Sequence, residues 1–295
     1  MATTGDTVSG VLPLAWLKSR LFGNFISSIP FFTGGGIAAV NNAVEYELLS
    51  AGINLTKRIG ADFLELRHRS DHALMLPVKT DKTLVLVPLS EPDQMWKRLD
   101  KRTRYQIRKG TNLGLSATIG GAELLDDFYT VFAENMRDLG TPVYSRRFFA
   151  EILNAFPDQT FICAVRYQDR TVASSFLNGY RDVLESCWAA SKRQYLFLKP
   201  NMFLTWNAFC LAARKGYRVF DFGRSTAGTG AHAYKLQWTG AESFPLYWTY
   251  WMRKGHSIPT LHRHNPRYQF AIRLWQKLPV SVTLKVGPKI VRYLP

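Results

Sequence analysis

The sequence predicts an α/β (α+β) protein made of two α/β units and a basic C-terminal tail. The chain has 295 residues, which is enough for two hydrophobic cores. Segments with helical and strand-like spacing of apolar residues alternate up to residue 252. From Trp251 to Pro295 the chain has nine Lys or Arg and no Asp or Glu.

The first unit, residues 1–110, opens on the strand-like segment VSGVLPLAWLK. Helical spacing of apolar residues predicts a helix from Asn41 to Ile59, and ADFLELRHR and LVLVPLS read as strands. A basic helix follows, for which we expect Ser90 as the N-cap, Pro92 in the first turn and Gly110 as the stop.

The second unit, residues 111–252, begins with two predicted helices, AELLDDFYTVFAENMRDLG ending at Gly140 and RRFFAEILNAF. Three strand-like runs follow, TFICAVRYQ, TVASSFLNGY and VLESCWAAS. The helix NMFLTWNAFCLAARKG, the strand YRVFDFG, a short helix around Lys235 and the strand SFPLYWTYW complete it. This element order is that of a GNAT-type acyltransferase domain.

The composition predicts a globular protein with anionic partners. Hydrophobic residues make up 46% of the chain, and no stretch has the roughly 20 apolar residues of a membrane span. The N-terminus lacks a signal-peptide pattern, and the three cysteines form no CxxC, so we expect a cytoplasmic protein with reduced thiols. The net charge of +16 favours nucleic acid, phosphorylated substrates or an anionic membrane as partner.

The segment 219–240, VFDFGRSTAGTGAHAYKLQWTG, is the candidate reaction centre. It is no Walker A loop, because Thr229 stands where that motif needs lysine. Asp221, near a strand end, can orient the acceptor or take a proton from it, while Arg224 and Ser225 can hold a phosphate or carboxylate. Lys235 can stabilise an oxyanion. The alternatives are a structural ion pair at Asp221 and a solvated lysine.

Other candidate binding residues lie outside this segment. Tyr144, Trp188 and Tyr195 are expected at loop or strand ends, where they either stack on a sugar or belong to the core. On the basic helix, Arg104 and Arg108 either bind phosphates or belong to a solvated face. His262 and His264 have no third ligand nearby, so we expect no metal site.

The sequence FDFGRSTAGTGAHAYKLQWTG resembles the signature of FemAB-like proteins, above all the FemAB-related proteins that accompany PEP-CTERM/exosortase exopolysaccharide systems. The resemblance extends over nearly the whole chain from Gly10 onward. It includes GVLPLAWLKSRLFG, ELR, QIRKG, NMRDLGTPVYSRRFF, KPNMFLTW and NPRYQFAIRLWQKLP. It implies two GNAT-like domains, residues 1–110 and 111–252, of which the first is expected to be N-terminally incomplete, and a tail of residues 253–295.

The resemblance also implies acyl or aminoacyl transfer onto an amine or hydroxyl of a cell-envelope glycan, peptidoglycan or exopolysaccharide, or of its lipid-linked precursor. The family pattern F-K-x-x-[FW]-G places its reaction-centre lysine on Lys235, with Tyr234 in place of Phe and Thr239 inserted before Gly240. No tightly bound cofactor is implied, and the donor is acyl-CoA or aminoacyl-tRNA. The segment SKRQYLFLKPNMF lacks the glycine-rich CoA loop, so the donor stays open.

Two further expectations concern the donor groove and the basic tail. Asn201 is expected beside a groove that either accepts a pantetheine arm or is blocked by Phe197 or Phe203. Arg267, Arg273 and Lys277 of the tail suit peripheral contact with the anionic inner membrane face, or the tail braces the first domain. The alternative function is a non-catalytic module that binds RNA or an anionic glycolipid.

Overall fold

The structure, a computed structural model, describes residues 1–19, 22–255, 258 and 266–294, with the side chains of 266–268 left out. His262 and His264 lie outside the described residues, and the side chain of Arg267 does too. Strands in chain order are β1 (Ala2–Thr4), β2 (Thr7–Val11), β3 (Ala15–Ser19), β4 (Gly23–Ser27), β5 (Ala38–Ala39), β6 (Phe63–His68), β7 (Val78–Lys79), β8 (Lys82–Pro88), β9 (Ser116–Gly120), β10 (Thr160–Tyr167), β11 (Arg170–Tyr180), β12 (Val183–Ser191), β13 (Val219–Thr226), β14 (Glu242–Pro245) and β15 (Tyr247–Met252). Helices are α1 (Asn42–Arg58), α2 (Pro92–Arg98), α3 (Lys101–Asn112), α4 (Leu125–Leu139), α5 (Arg146–Ala155), α6 (Pro200–Arg214), α7 (Gly230–Leu236), α8 (Pro266–Lys277) and α9 (Val280–Val291).

The largest sheet has seven strands in the order β14-β8-β13-β12-β11-β10-β9. Its strands alternate their side chains between two cores, as a sheet buried on both faces requires. Cys163 and Val165 of β10 join the core under α6, whereas Ile162 and Ala164 join the core under α4 and α5. Within this sheet β12 and β13 run parallel, and they pair only from Val183–Glu185 to Val219–Asp221.

A second sheet of five strands has the order β3-β4-β6-β15-β7, and β1, β2 and β5 form a third. The two large sheets exchange strands across the predicted boundary at residue 110. Strand β8 lies between β13 and β14 in the seven-stranded sheet, and β15 lies between β6 and β7 in the five-stranded one. The division into domains 1–110, 111–252 and 253–295 stays a prediction.

The predicted helix over 41–59 is confirmed by α1, and Gly140 ends α4 with a left-handed φ of 73°. The prediction of a single basic helix is wrong, because the helix breaks after Arg98. The side chain that caps a helix start here is that of Asp100, which accepts the backbone N–H of Thr103, and not that of Ser90. Gly110 is no stop, because α3 continues to Asn112. A Cβ at Gly110 would lie 3.4 Å from the Cβ of Phe203, so the small size of this glycine allows close packing against α6.

The predicted last strand, SFPLYWTYW, is two strands. The chain leaves the seven-stranded sheet after β14, buries Leu246 completely and enters the five-stranded sheet as β15. Helix α8 matches the helix predicted in the tail, whereas α9 was not predicted. No helix of the described ranges combines the length and the apolar character needed to span a membrane.

Candidate active site between the parted strands

A cavity of about 740 Å³ opens where β12 and β13 separate. Beyond Glu185 and Asp221 the two strands no longer pair with each other, and residues 186–191 and 222–224 become facing walls. Helices α4, α6 and α7 supply most of the rest of the lining, together with residues 31–33 and with Thr141 and Tyr144 from the loop after α4. The site thus lies at the end of the parallel pairing, where strand edges face a void.

Two carboxylates meet at the start of this separation. Glu185 of β12 and Asp221 of β13 are register partners, and the Arg69 guanidinium bridges them, with Nη1 3.1 Å from Asp221 Oδ2 and Nη2 3.4 Å from Glu185 Oε2. Asp221 is fully buried, and its Oδ1 accepts the backbone N–H of Gly223 at 2.7 Å. Gly223 has a φ of 65° at a bulge in β13, a backbone conformation that suits glycine.

Burial and, to a smaller extent, the charge of Asp221 together raise the pKa of the Glu185 carboxyl to about 7. Burial likewise raises the pKa of Asp221, while Arg69 opposes that shift. Glu185 lines the cavity and Asp221 lies behind it. The cavity therefore has in its wall a carboxyl group that gains and loses a proton near neutral pH.

Lys235 reaches the cavity from α7, whose N-cap Thr229 accepts from the His232 amide. Its Nζ donates to the carbonyl oxygens of Gly223 and Arg224, each at 2.9 Å. Burial lowers the pKa of Lys235 to about 8, although Asp221 and Glu185 oppose that shift. An ammonium group has three N–H donors, so one remains for a ligand in the cavity.

Tyr234 anchors α7 to α6. Its hydroxyl donates to the Asn201 carbonyl oxygen at 2.9 Å and lies 2.9 Å from Thr205 Oγ1. The next turn brings Trp238 into the core, where it is 1% exposed. The aromatic residues on both sides of Lys235 therefore fix the helix that carries it.

Arg224 supplies a second cation to the cavity wall. Its guanidinium lies over the Trp248 ring at 5.4 Å, and the guanidinium of Arg67 lies over the same ring at 4.4 Å. Burial and the neighbouring charge of Arg67 lower the pKa of Arg224. The buried Nη1 of Arg224 has no hydrogen-bond partner among the described residues. A cation with an unused donor is suited to an anionic group of a substrate.

The segment Ile29–Gly36, which we call the strap, closes one side of the cavity. The carbonyl oxygen of Arg67 accepts the amides of Gly35 and Gly36 at 3.0 and 2.8 Å, and Arg67 Nη1 donates to the Phe32 carbonyl. Beyond the strap lies a smaller cavity of about 270 Å³, in whose wall Arg69 lies. Phe32, Thr33 and Glu185 line both cavities, so Glu185 can be reached from two sides.

The residues predicted from sequence fall into two groups. Five line the cavity: Tyr144, Trp188, Asn201, Arg224 and Lys235. Asp221 contacts this site through Arg69 and Gly223 but lies behind the wall.

The remaining predicted residues lie elsewhere. Ser225 is 8% exposed and pairs with Thr83 in the sheet. Tyr195 lies beside Tyr167, with ring centroids 6.2 Å apart. On α3, Arg104 donates to the Lys97 carbonyl at 3.1 Å, and Arg108 lies over the Trp96 ring. None of these four lines the cavity. Phe197 and Phe203 do not line it either.

Sequence analysis missed Glu185, Arg69 and Arg67. The available signal was a charged residue inside a strand of mostly apolar or small residues: Glu185 in VLESCWAAS, and Arg67 in FLELRH. Such a charge is expected to be paired or to line a site. Within the described part of the chain, no group of three or more His, Cys, Asp or Glu is placed to hold a metal ion.

Residues 97–236 match the family described as acetyltransferase (GNAT) domain. No curated protein has a matching sequence. The solved structures that are similar to the chain include the following three. FemX is 12% identical over 84% of this chain and 86% of its own, with a TM-score of 0.59. The C-terminal domain of a putative lysylphosphatidylglycerol synthetase from Agrobacterium fabrum is 13% identical over 84% and 82%, with a TM-score of 0.61.

L-PGS from Bacillus licheniformis is 14% identical over 92% of this chain and 87% of its own, with a TM-score of 0.55. At these identities the three structures show the fold alone. The predicted fold class is confirmed: the chain has a GNAT-like α/β fold, and its residues 97–236 match the acetyltransferase (GNAT) family.

Proposed function

We propose that the chain is an acyl- or aminoacyltransferase that acts on an amine or hydroxyl of a cell-envelope component. One observation carries the proposal. Glu185 and Lys235, whose pKa values are shifted toward neutral, line one cavity between parted parallel strands. A base and a fixed cation in one cleft are the groups that acyl transfer needs. The match to the acetyltransferase family supports this reaction class.

In this proposal Glu185 is the general base. It lies on the cavity wall, where an acceptor can reach it, whereas Asp221 is fully buried. Asp221 and Arg69 are then positioning residues, which hold the Glu185 carboxylate and tune its pKa. This changes the role that sequence analysis gave to Asp221 and keeps the role it gave to Lys235.

The proposed reaction has two steps. The acceptor nitrogen or oxygen attacks the donor carbonyl carbon, and Glu185 takes the proton that the acceptor loses. The negative oxygen of the tetrahedral intermediate accepts the free N–H of Lys235. The intermediate then collapses, the bond from carbon to the thiol sulfur or ribose oxygen breaks, and the leaving group takes the proton from Glu185.

The walls of the cavity favour an extended donor with a polar chain and an anionic group. Facing strand edges can hydrogen-bond to amide groups, as in strand addition. Arg224 can hold a phosphate or carboxylate, without help from Ser225. Acyl-CoA has both the amide-containing chain and the phosphates, whereas aminoacyl-tRNA has the phosphates alone, and both are candidate donors.

For the acceptor we propose an envelope glycan of peptidoglycan or exopolysaccharide, or its lipid-linked precursor. FemX, L-PGS and a protein named as a putative lysylphosphatidylglycerol synthetase share the fold, which supports an envelope acceptor. The relation to PEP-CTERM/exosortase systems stays a prediction from the sequence resemblance.

The proposal can be tested with labelled acetyl-CoA, long-chain acyl-CoA and charged tRNA, each incubated with an extract of envelope lipids and glycans. We expect transfer from one donor, lowered about 100- to 1,000-fold in Lys235→Met, because removing an oxyanion donor has that effect. Lys101→Met, an exposed lysine on α3, serves as the matched control and should leave transfer unchanged. Salt-sensitive RNA binding with no transfer from any donor would instead support the binding module.

A further inference from the structure

Helices α8 and α9 present an outer face of mixed apolar and basic residues. On α8 the exposed positions Phe270, Arg273, Leu274 and Lys277 follow helical spacing, and on α9 the positions Val282, Lys285, Val286 and Lys289 repeat the same order. We call these eight residues the α8–α9 face. Phe270 is 70% exposed and Leu274 54%.

The opposite sides of both helices are already used for packing. The carbonyl oxygen of Leu278 accepts from Arg137, and Gln276 Nε2 donates to the Asp138 carbonyl at 3.0 Å. Helix α9 buries Gly287 against Val143. Both helices therefore rest on the end of α4 and the loop after it, and the apolar residues of the outer face have no role in the core.

The charge of the α8–α9 face indicates its partner. None of its four basic residues has an acidic partner among the described residues, and the sequence from Trp251 to Pro295 contains no acid. A second copy of the chain would bring four further positive charges against these four. Nucleic acid would match the charge but leave Phe270 and Leu274 exposed. An anionic bilayer matches both the basic and the apolar residues of the face, since basic side chains bind the headgroups while apolar side chains enter the interface.

Helix α8 also packs against the stretch of chain that lines the large cavity. Asn135, Met136 and Thr141 line the cavity, and between them Gly140 contacts Ile272 of α8. The same short stretch of chain thus forms cavity wall on one side and seats the outer helices on the other.

We propose that the α8–α9 face is a docking surface for an anionic lipid bilayer. This binding does not depend on the transfer reaction. It would bring the protein to an amphiphilic substrate whose polar head projects from the bilayer.

Flotation with vesicles tests the proposal. We expect the full chain to float with vesicles of phosphatidylcholine and phosphatidylglycerol and not with phosphatidylcholine alone. Lys285→Gln with Lys289→Gln should weaken binding on the order of twenty-fold, because each basic residue near an anionic surface contributes about fivefold. Phe270→Ser with Leu274→Ser should weaken binding even at high salt, because it removes the apolar contribution.

The matched control is Lys101→Gln with Arg102→Gln, which removes the same charge from exposed positions of α3. It should bind vesicles as the unchanged protein does, and thermal unfolding should show all variants folded. Equal binding to neutral and anionic vesicles would overturn the proposal. So would an equal loss in the α3 control, or a dimer that the Phe270 and Leu274 changes dissociate.

Discussion

At the residue scale, the central feature is the pair of carboxylates at Glu185 and Asp221. Parallel pairing places them side by side, and both are mostly removed from water. Two such groups cannot both ionise freely, so their protons leave in two coupled steps. Arg69, 46% exposed, is the cation that bridges them. The pair therefore holds a proton at a pH where an isolated glutamate would have lost it.

The pH dependence of transfer should follow from these groups. Glu185 must be deprotonated to act as a base, so the rate should rise as pH increases through about 7. Lys235 must stay protonated to hold the oxyanion, so the rate should fall above about 8. We expect a narrow bell-shaped profile of kcat/KM, and Glu185→Gln should lower the rate about 100-fold or more and remove the rise below pH 7.

The variant Asp221→Asn tests whether Asp221 acts as the base or only positions Glu185. Removing its charge removes one cause of the raised pKa of Glu185, so the rise in rate should move to a pH below 7 while activity persists. The measurement is the pH profile of kcat/KM for this variant. A variant without activity at every pH, yet folded, would favour Asp221 as the base, which is one of the two roles predicted for it from sequence.

Arg67 allows a prediction about stability. It is 1% exposed, and its Nε lies 2.7 Å from Glu65 Oε1, a carboxylate that also accepts from Ser27 and Tyr250. Arg67→Met should lower the free energy of unfolding by about 3–5 kcal/mol, because it leaves a buried carboxylate without its cation. Adding Glu65→Gln should recover part of that loss in denaturant unfolding. Additive losses would show that the two charges are not coupled.

Sequence could predict Lys235 and Arg224 because both lie in one motif with the residues that fix them. It could not predict Glu185 or Arg69. The role of Glu185 depends on which strand lies beside β12, and on its contact with Arg69, which lies 116 positions earlier in the chain. The missing information was non-local pairing, which single-residue patterns do not contain.

At the element scale, the junction of α4 with α8 depends on Gly140. Its φ of 73° disfavours side chains, and a Cβ there would lie 2.4 Å from Ile272 Cγ2. Gly140→Ala should lower the free energy of unfolding by more than the 1–2 kcal/mol roughly expected for the left-handed backbone alone. It should also make residues 253–295 more sensitive to protease.

Gly114→Ala is the matched control for this prediction. Gly114 has a φ of 88°, and a Cβ there would have no atom within 4 Å. Its change to alanine therefore strains the left-handed backbone but creates no steric contact. The difference between the two variants measures the packing of α8 on α4. Equal losses of stability would show that Ile272 moves aside at no cost.

Element boundaries show where local patterns were sufficient. Helix α1 can be predicted from sequence because its apolar spacing is a local pattern. The break at Asp100 was missed because the uniform basic character hid a second N-cap, and the division at Leu246 was missed because both strands read as one apolar run. What divides that run is the presence of two different sheets, which no local pattern reports.

At the scale of the whole molecule, the exchanged strands predict how fragments behave. Residues 111–252 lack β8, which pairs with both β13 and β14, and residues 1–110 lack β15, which pairs with β6 and β7. Neither fragment should show a cooperative thermal transition by circular dichroism, because each has an interior strand missing. A fragment of residues 1–255 keeps both sheets and should therefore show a cooperative thermal transition. Independent folding of 111–252 would instead support the predicted boundary.

Strand β15 also has a consequence for folding during synthesis. The ribosome releases β3, β4 and β6 early, yet their sheet lacks an interior strand until residue 252 has emerged. Contacts so distant in sequence slow folding and leave strand edges exposed in the meantime. Tyr250, which donates to the buried carboxylate of Glu65 across 185 positions, arrives equally late. The nascent first half is thus a natural client for a chaperone until the last strand arrives.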